Sequence, residues 1–294
     1  PVLHRLKFGQ YIKGDAPKSH EKKSGVPTMG GLIFILSSII TLILVRKYCN
    51  FHVYICFLSL ISFGAIGLLD DGLKIFHKNN KGLSMGQKML LIIAVSLFFS
   101  YYGYTNPSIG TSLLIPFTKT FLNLGPLYIP FTIFFYAAVT NAVNFTDGLD
   151  GLCTSVTIIV LTFFLLVSFA FGSYSISVFC GILVGALLGF LTHNSFPAKV
   201  IMGDTGALAL GGAVTTVALI LKLDFFILIV GGIYAIEMLS DVIQIVFFKL
   251  TGKRVFKMAP LHHSFELSGW HESKIVTMFS IITAILCMIG LYAI

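Results

Sequence analysis

Nine apolar runs separated by short polar segments make up most of the chain. With boundaries good to a few residues, they fall at 29–45, 53–69, 89–104, 129–143, 152–171, 176–191, 207–221, 225–248 and 275–294. Several are shorter than the roughly 20 residues that cross a bilayer untilted, and their glycine and polar flanks complete them. Backbone amides in lipid must be satisfied within their own segment, so each run is expected to be a transmembrane helix. The expected fold class is all-α: a polytopic membrane bundle of nine spans, forming one transmembrane domain over 1–294. The 105–128 segment contains Asn106-Pro107, Gly110, Pro116 and Gly125-Pro126, and reads as a turn-rich excursion or hairpin outside the membrane. Two stretches, 1–28 and 249–274, are polar and basic. The first has no leader pattern of charge, apolar core and small-residue cleavage site. Its opening, PVLHRLKFG, reads as the exit of a preceding span, so the natural chain is expected to begin earlier.

Composition agrees with this pattern. Of 294 residues, 56% are hydrophobic and only 11% charged, against roughly 25% charged in a soluble domain. The mean hydropathy is +0.92. Cys49, Cys56, Cys153, Cys180 and Cys287 lie in or beside apolar runs without CxxC spacing. They are expected to be small buried hydrophobes, neither a disulfide framework nor a zinc site. The net charge of +8 raises the question of nucleic acid, but its distribution answers otherwise. Only Arg46, Lys47, Lys119 and Lys222 fall on one side of the predicted membrane. The other sixteen Lys and Arg lie on the side that holds 1–28, 70–88, 192–206 and 249–274. The positive-inside rule makes that side cytoplasmic. The basic excess is then a topology signal and an attraction for anionic headgroups or substrates, with no nucleic-acid partner.

The chemistry-bearing residues share that face. Asn144-Phe145-Thr146-Asp147-Gly148-Leu149-Asp150-Gly151 is a polar octet between two spans. Asn144, Asp147 and Asp150 are spaced i, i+3, i+6, so one turn of helix leading into the next span would present all three on one side. Capping a helix start requires one Asp, and this stretch has two and an Asn. Asp70-Asp71-Gly72-Leu73-Lys74 places adjacent carboxylates at the end of a span, which is costly without a cation nearby. Lys74 supplies one charge. An oxygen-rich site with room for phosphate suits Mg²⁺. Met202-Gly203-Asp204-Thr205-Gly206 puts an Asp at a helix N-terminus, where it completes a metal site with Asp70 and Asp71. It follows His193-Asn194-Ser195-Phe196-Pro197-Ala198-Lys199.

In Pro260-Leu261-His262-His263-Ser264-Phe265-Glu266, adjacent imidazoles on a helix point about 100° apart. One of them is therefore expected to contact an anion and the other to be structural. Lys23-Ser24-Gly25-Val26-Pro27-Thr28-Met29-Gly30-Gly31 joins a cation and the Thr28 hydroxyl to a glycine-rich helix start, suited to a phosphate or sugar. Close helix packing is the competing use of Gly30 and Gly31. Four polar clusters from separate loops on one face point to a single site at the cytoplasmic mouth of the bundle.

These motifs, in this order, resemble those of the phospho-N-acetylmuramoyl-pentapeptide-transferase family, within the polyprenyl-phosphate N-acetylhexosamine-1-phosphate transferases. The resemblance runs nearly end to end, short of a first span: the family has ten. It implies transfer of phospho-MurNAc-pentapeptide from UDP-MurNAc-pentapeptide to undecaprenyl phosphate with Mg²⁺, forming lipid I and UMP in a bacterial plasma membrane. Uridine-containing nucleoside inhibitors would bind the same site. Monomer and homodimer are both left open. Carried over by motif, Asp70, Asp71, Asp204 and His262 form the catalytic core, with Asp204 the leading metal ligand beside Asp70 and Asp71, and His262 the imidazole that contacts an anion. Lys23, Thr28, Lys74, Asn144, Asp147, Asp150, Asn194 and His263 line the substrate site. Two departures stand out: Ser264 replaces a usual third His, and Val26 a frequent Thr. The alternatives are a sister transferase using UDP-GlcNAc and, from another class, a lipid-linked-sugar transporter that uses the intramembrane acids Glu237 and Asp241.

Overall fold

The computed structural model describes residues 25–77 and 82–294. Among the described residues, eight helices are long and apolar enough to cross a membrane: α1 (Gly31–Val45, extended to Tyr48 by a 3-10 turn), α2 (Phe51–Phe76), α3 (Met85–Thr105), α4 (Tyr128–Thr146), α5 (Leu152–Ala170), α6 (Tyr174–Asn194), α7 (Gly203–Leu221) and α11 (Glu272–Ala293). The ninth apolar run is a bent pair. The short helix α8 (Ile227–Val230) and α9 (Gly232–Thr251) meet at 82°, giving nine spans if the pair counts as one. The break falls at Gly231-Gly232, where helix propensity is weakest. A one-and-a-half-turn helix, α10 (Leu261–Glu266), carries the histidines. The expected hairpin is present: β1 (Ser112–Ile115) pairs antiparallel with β2 (Thr120–Asn123).

The bundle is built around α7. Its central window is 89% buried, against 22% for α1 and α3. Every residue from Thr205 to Leu221 is buried. Lipid is as apolar as leucine, so helices inside a membrane associate through close packing and interhelical hydrogen bonds. The α7 sequence, rich in Gly and Ala, supplies the packing. Gly31 of α1 lies on Gly206 with no room for a Cβ, which would sit 2.3 Å from the Gly206 nitrogen. Gly67 of α2 abuts the Asp204 carbonyl, and Gly212 accommodates the Phe63 ring. For Gly30 and Gly31, close packing is thus what the structure shows. Interhelical hydrogen bonds join Tyr136 to Thr216 and Thr157 to Tyr234, each at 2.7 Å. Large apolar side chains such as Leu44, Phe134 and Leu250 cover the outer faces. Cys56, Cys153, Cys180 and Cys287 are buried free thiols and Cys49 is half-buried, as expected of small hydrophobes.

This packing makes a paired prediction. A methyl at Gly31 meets backbone that cannot move aside, so Gly31→Ala should destabilise by about 1–3 kcal/mol. Gly189→Ala, in α6 with nothing within 4 Å, should be neutral or slightly stabilising. Melting temperatures of the detergent-solubilised variants decide it; equal values would refute the packing account.

Candidate active site

The three carboxylates converge because α2 runs on past its apolar stretch to Phe76. Neighbours on a helix, Asp70 and Asp71 diverge by about 100° and do different work. Asp71 reaches α7, whose own N-cap, Met202, offers no side-chain acceptor. Its Oδ2 accepts from the Thr205 amide at 2.9 Å and the Thr205 hydroxyl at 2.8 Å, capping the helix from outside. Asp70 accepts the Leu83 amide at 2.7 Å through Oδ1 and the Lys74 ammonium at 2.5 Å through Oδ2. Asp204, in the first turn of α7, receives Lys74 at 3.1 Å and Lys88 at 2.9 Å on Oδ2, and the Asn144 amide at 2.9 Å on Oδ1.

One oxygen of each carboxylate lies within 4.8 Å of the others. Among the described residues, the three carboxylates meet two ammonium groups, Lys74 and Lys88. The Asp70 and Asp71 side chains are 4% exposed and Asp204 is 19% exposed, so Asp204 is the most accessible. The set is all-oxygen and hard, and the Lys74 ammonium already marks the point where the three meet. These residues fit a divalent cation of the Mg²⁺ type.

The 27–31 motif is drawn to the same place. Ile201 N–H donates to Pro27 O at 2.8 Å, and Gly30 and Gly31 N–H donate to Ile201 O and Met202 O. Gly203, with φ +74°, leaves room for two of its neighbours: a Cβ there would lie 2.7 Å from Asp71 Oδ2 and 2.9 Å from the Thr28 hydroxyl. Thr28 therefore borders the carboxylates. Lys23 lies outside the described residues.

The octet is not one helical face. Helix α4 continues to Thr146, so Asn144 sits in its last turn and reaches Asp204, whereas Asp147 to Gly151 form a turn. Gly151, at φ +77°, starts α5. Asp150 instead accepts the Ala198 amide at 2.9 Å and donates its own N–H to Glu272. Asn194 is buried, accepting from Thr154 at 2.6 Å and donating to Val200 O at 3.0 Å. Asp150 and Asn194 thus brace the 193–200 loop from two sides, while Asp147 is half-buried at the end of α4.

The histidines also depart from expectation. Their rings do not turn apart: the centroids are 4.1 Å from each other, tilted by 56°. His262 is fully buried, with Nδ1 2.9 Å from Glu237 Oε2 and its backbone N–H donating to Glu237 Oε1 at 3.2 Å. Its Nε2 is buried without a hydrogen-bond partner among the described residues, beside Gly148, where a Cβ would lie 2.1 Å from it. His263 Nδ1 meets Glu266 at 2.7 Å. Ser264 donates to Met258 O at 2.6 Å and accepts from Met258 N–H at 3.2 Å, closing the 258–264 loop.

Sequence reasoning missed Lys88, Glu237 and Glu272 as site residues. Lys88 follows a Ser84–Gln87 capping box at the start of a span, where a basic residue reads as topology. Glu237 carried the signal of any acid inside a span, but without a partner to name. Glu272 stands in the first turn of α11, where the helix dipole alone accounts for an acid.

Fold and site together define a membrane-embedded glycosyl transferase. The profile of Glycosyl transferase family 4 matches residues 53–222, which include all three carboxylates. Among curated relatives, the phospho-N-acetylmuramoyl-pentapeptide-transferase of Clostridium botulinum (strain Eklund 17B / Type B) is 60% identical over 100% of this chain and 90% of its own length. That of Clostridium novyi (strain NT) is 58% identical over 99% and 89%, and that of Clostridium perfringens (strain 13 / Type A) 55% over 99% and 91%. The chain belongs to the phospho-N-acetylmuramoyl-pentapeptide-transferase family.

The bracing role of Asp150 is open to test. Asp150→Ala leaves the half-buried Ala198 amide without its acceptor, a loss of about 1 kcal/mol. It should lower the melting temperature, and Asp150→Asn, which keeps an acceptor oxygen, should restore most of it. An unchanged melting temperature in Asp150→Ala would exclude the brace.

Proposed function

We propose that the protein transfers phospho-MurNAc-pentapeptide from UDP-MurNAc-pentapeptide to undecaprenyl phosphate, yielding lipid I and UMP for peptidoglycan synthesis. The observation that carries this reading is the convergence of Asp70, Asp71 and Asp204 with Lys74, Lys88 and Asn144 at one end of the bundle. The names of the relatives supply the donor group. The charge distribution supplies the side: the site shares a face with the basic loops, which the positive-inside rule makes cytoplasmic in a bacterial plasma membrane.

In this reaction an oxygen of the lipid phosphate forms a bond to the sugar-bound phosphorus of the donor. The anhydride bond to the uridylyl phosphate breaks, and UMP leaves with the bridging oxygen and its electron pair. Both reactants are anions, so the barrier is dominated by charge repulsion and positioning. Mg²⁺, held by Asp204 with Asp70 and Asp71, would neutralise phosphate charge and fix the two reactants in line. Lys74 and Lys88 supply further positive charge at the same point. Asn144 holds the free oxygen of Asp204 in place, and Asp71 anchors the end of α7 so that Asp204 stays on station. The acceptor oxygen is already anionic, so neutralisation counts for more than a general base.

UMP release with undecaprenyl phosphate tests the reading directly. Turnover with UDP-MurNAc-pentapeptide and little or none with UDP-GlcNAc is the expected result. The reverse preference would move the chain to the sister transferases, and no release with either would overturn the reading. Asp204→Asn keeps the shape and removes the charge. It should lower turnover by about 100-fold or more with the melting temperature retained; activity within a few-fold of the parent at subsaturating Mg²⁺ would remove Asp204 from the metal site.

A further inference from the structure

We propose that Glu237 is a positioning residue for His262, and that the two act as a single unit with Nε2 as its working atom. The proposal rests on the transfer reaction given above. Both oxygens of the Glu237 carboxylate are directed at His262: Oε2 to Nδ1 at 2.9 Å, and Oε1 to the backbone N–H at 3.2 Å. Glu237 is 0% exposed and sits inside a membrane-spanning helix, where an uncompensated carboxylate is expensive. A structural His in such a place would have both ring nitrogens satisfied. His262 does not, since Nε2 is buried and has no hydrogen-bond partner among the described residues.

An acceptor-only carboxylate on Nδ1 requires a proton there, which fixes the tautomer and orients the ring. Nε2 is then the only ring position left for a ligand. In the neutral ring it is an acceptor, and in the doubly protonated ring an N–H donor. The second arm of the carboxylate, on the backbone amide, fixes the start of α10 as well as the ring, so the imidazole cannot drift with its loop. Gly148 completes the arrangement, because any side chain there would overlap Nε2. Nε2 therefore faces Gly148 in the Asp147–Gly151 turn, which follows directly on the last turn of α4 that carries Asn144. The group it fits is a phosphate oxygen of the nucleoside diphosphate donor, lying over that turn.

The 82° break at Gly231 gives this pair its setting. By redirecting α9 it carries Glu237, two turns further on, to the short helix that bears His262. Neither residue is placed by its own loop alone.

The experiment is a double-mutant cycle on the full-length protein in detergent with undecaprenyl phosphate and UDP-MurNAc-pentapeptide. Glu237→Gln, His262→Ala and the double variant are assayed for kcat and KM, with melting temperatures recorded alongside. Glu237→Gln keeps the shape but loses the acceptor-only character, and should lower kcat by about 10- to 100-fold with KM for undecaprenyl phosphate unchanged. The double variant should be no slower than His262→Ala, because the carboxylate has no work to do without the ring. Activity of Glu237→Gln within about twofold of the parent, or losses that multiply in the double variant, would overturn the proposal. Should Glu237→Gln not survive purification, Glu237→Asp carries the same comparison, since it retracts the carboxylate by one methylene. An inactive parent would count against the transfer reaction; an active parent with an unaffected Glu237→Gln would count against the pairing alone.

Discussion

The contact on which the site depends is the capping of one membrane helix by a carboxylate from another. The first amides of a helix have no partner within it, and α7 is buried from Thr205 onward, where water cannot serve them all. Asp71 supplies the missing acceptor at Thr205. In doing so it joins the end of α2 to the start of α7 and sets Asp70 and Asp204 facing each other. Structural and chemical roles are thus divided between two adjacent aspartates. Gly67, against the Asp204 carbonyl, and Gly203, against Asp71 and Thr28, let the helices come close enough for the cap to form.

Charge balance follows from that closeness. Three carboxylates in one place repel, and among the described residues two lysines offset them. Lys74 comes from the same helix as two of the acids and Lys88 from the next helix. The positive charge therefore has a fixed arm and an arm that depends on how α2 and α3 pack.

The spans were legible because lipid demands long apolar helices, and the hairpin because its prolines and glycines forbid one. Asp70, Asp71 and Asp204 were legible because acids are expensive beside a membrane and need a reason. Other parts of the site were not. Reading Asn144, Asp147 and Asp150 as a helical stripe failed because α4 ends at Thr146 and residues 147–151 form a turn before α5, and a spacing rule holds only within one regular element. The histidine rings meet because α10 is too short for helix geometry alone to fix them, and Glu237 places one of them from a distant helix. Lys88 was hidden by the same rule that revealed the topology, which counts every lysine as a marker of side.

The burial of α7 also has a consequence for how the protein is made. Asp71 and Thr205 are 134 residues apart, so α1 and α2 are synthesised well before the helix they pack on. Until α7 arrives, their glycine faces have nothing to close against, and Asp71 at the end of α2 lacks the helix start it caps. Bundle assembly is then a late event governed by long-range contacts. The order of synthesis, and not only the final packing, requires that the early helices persist in the bilayer in an unfinished state.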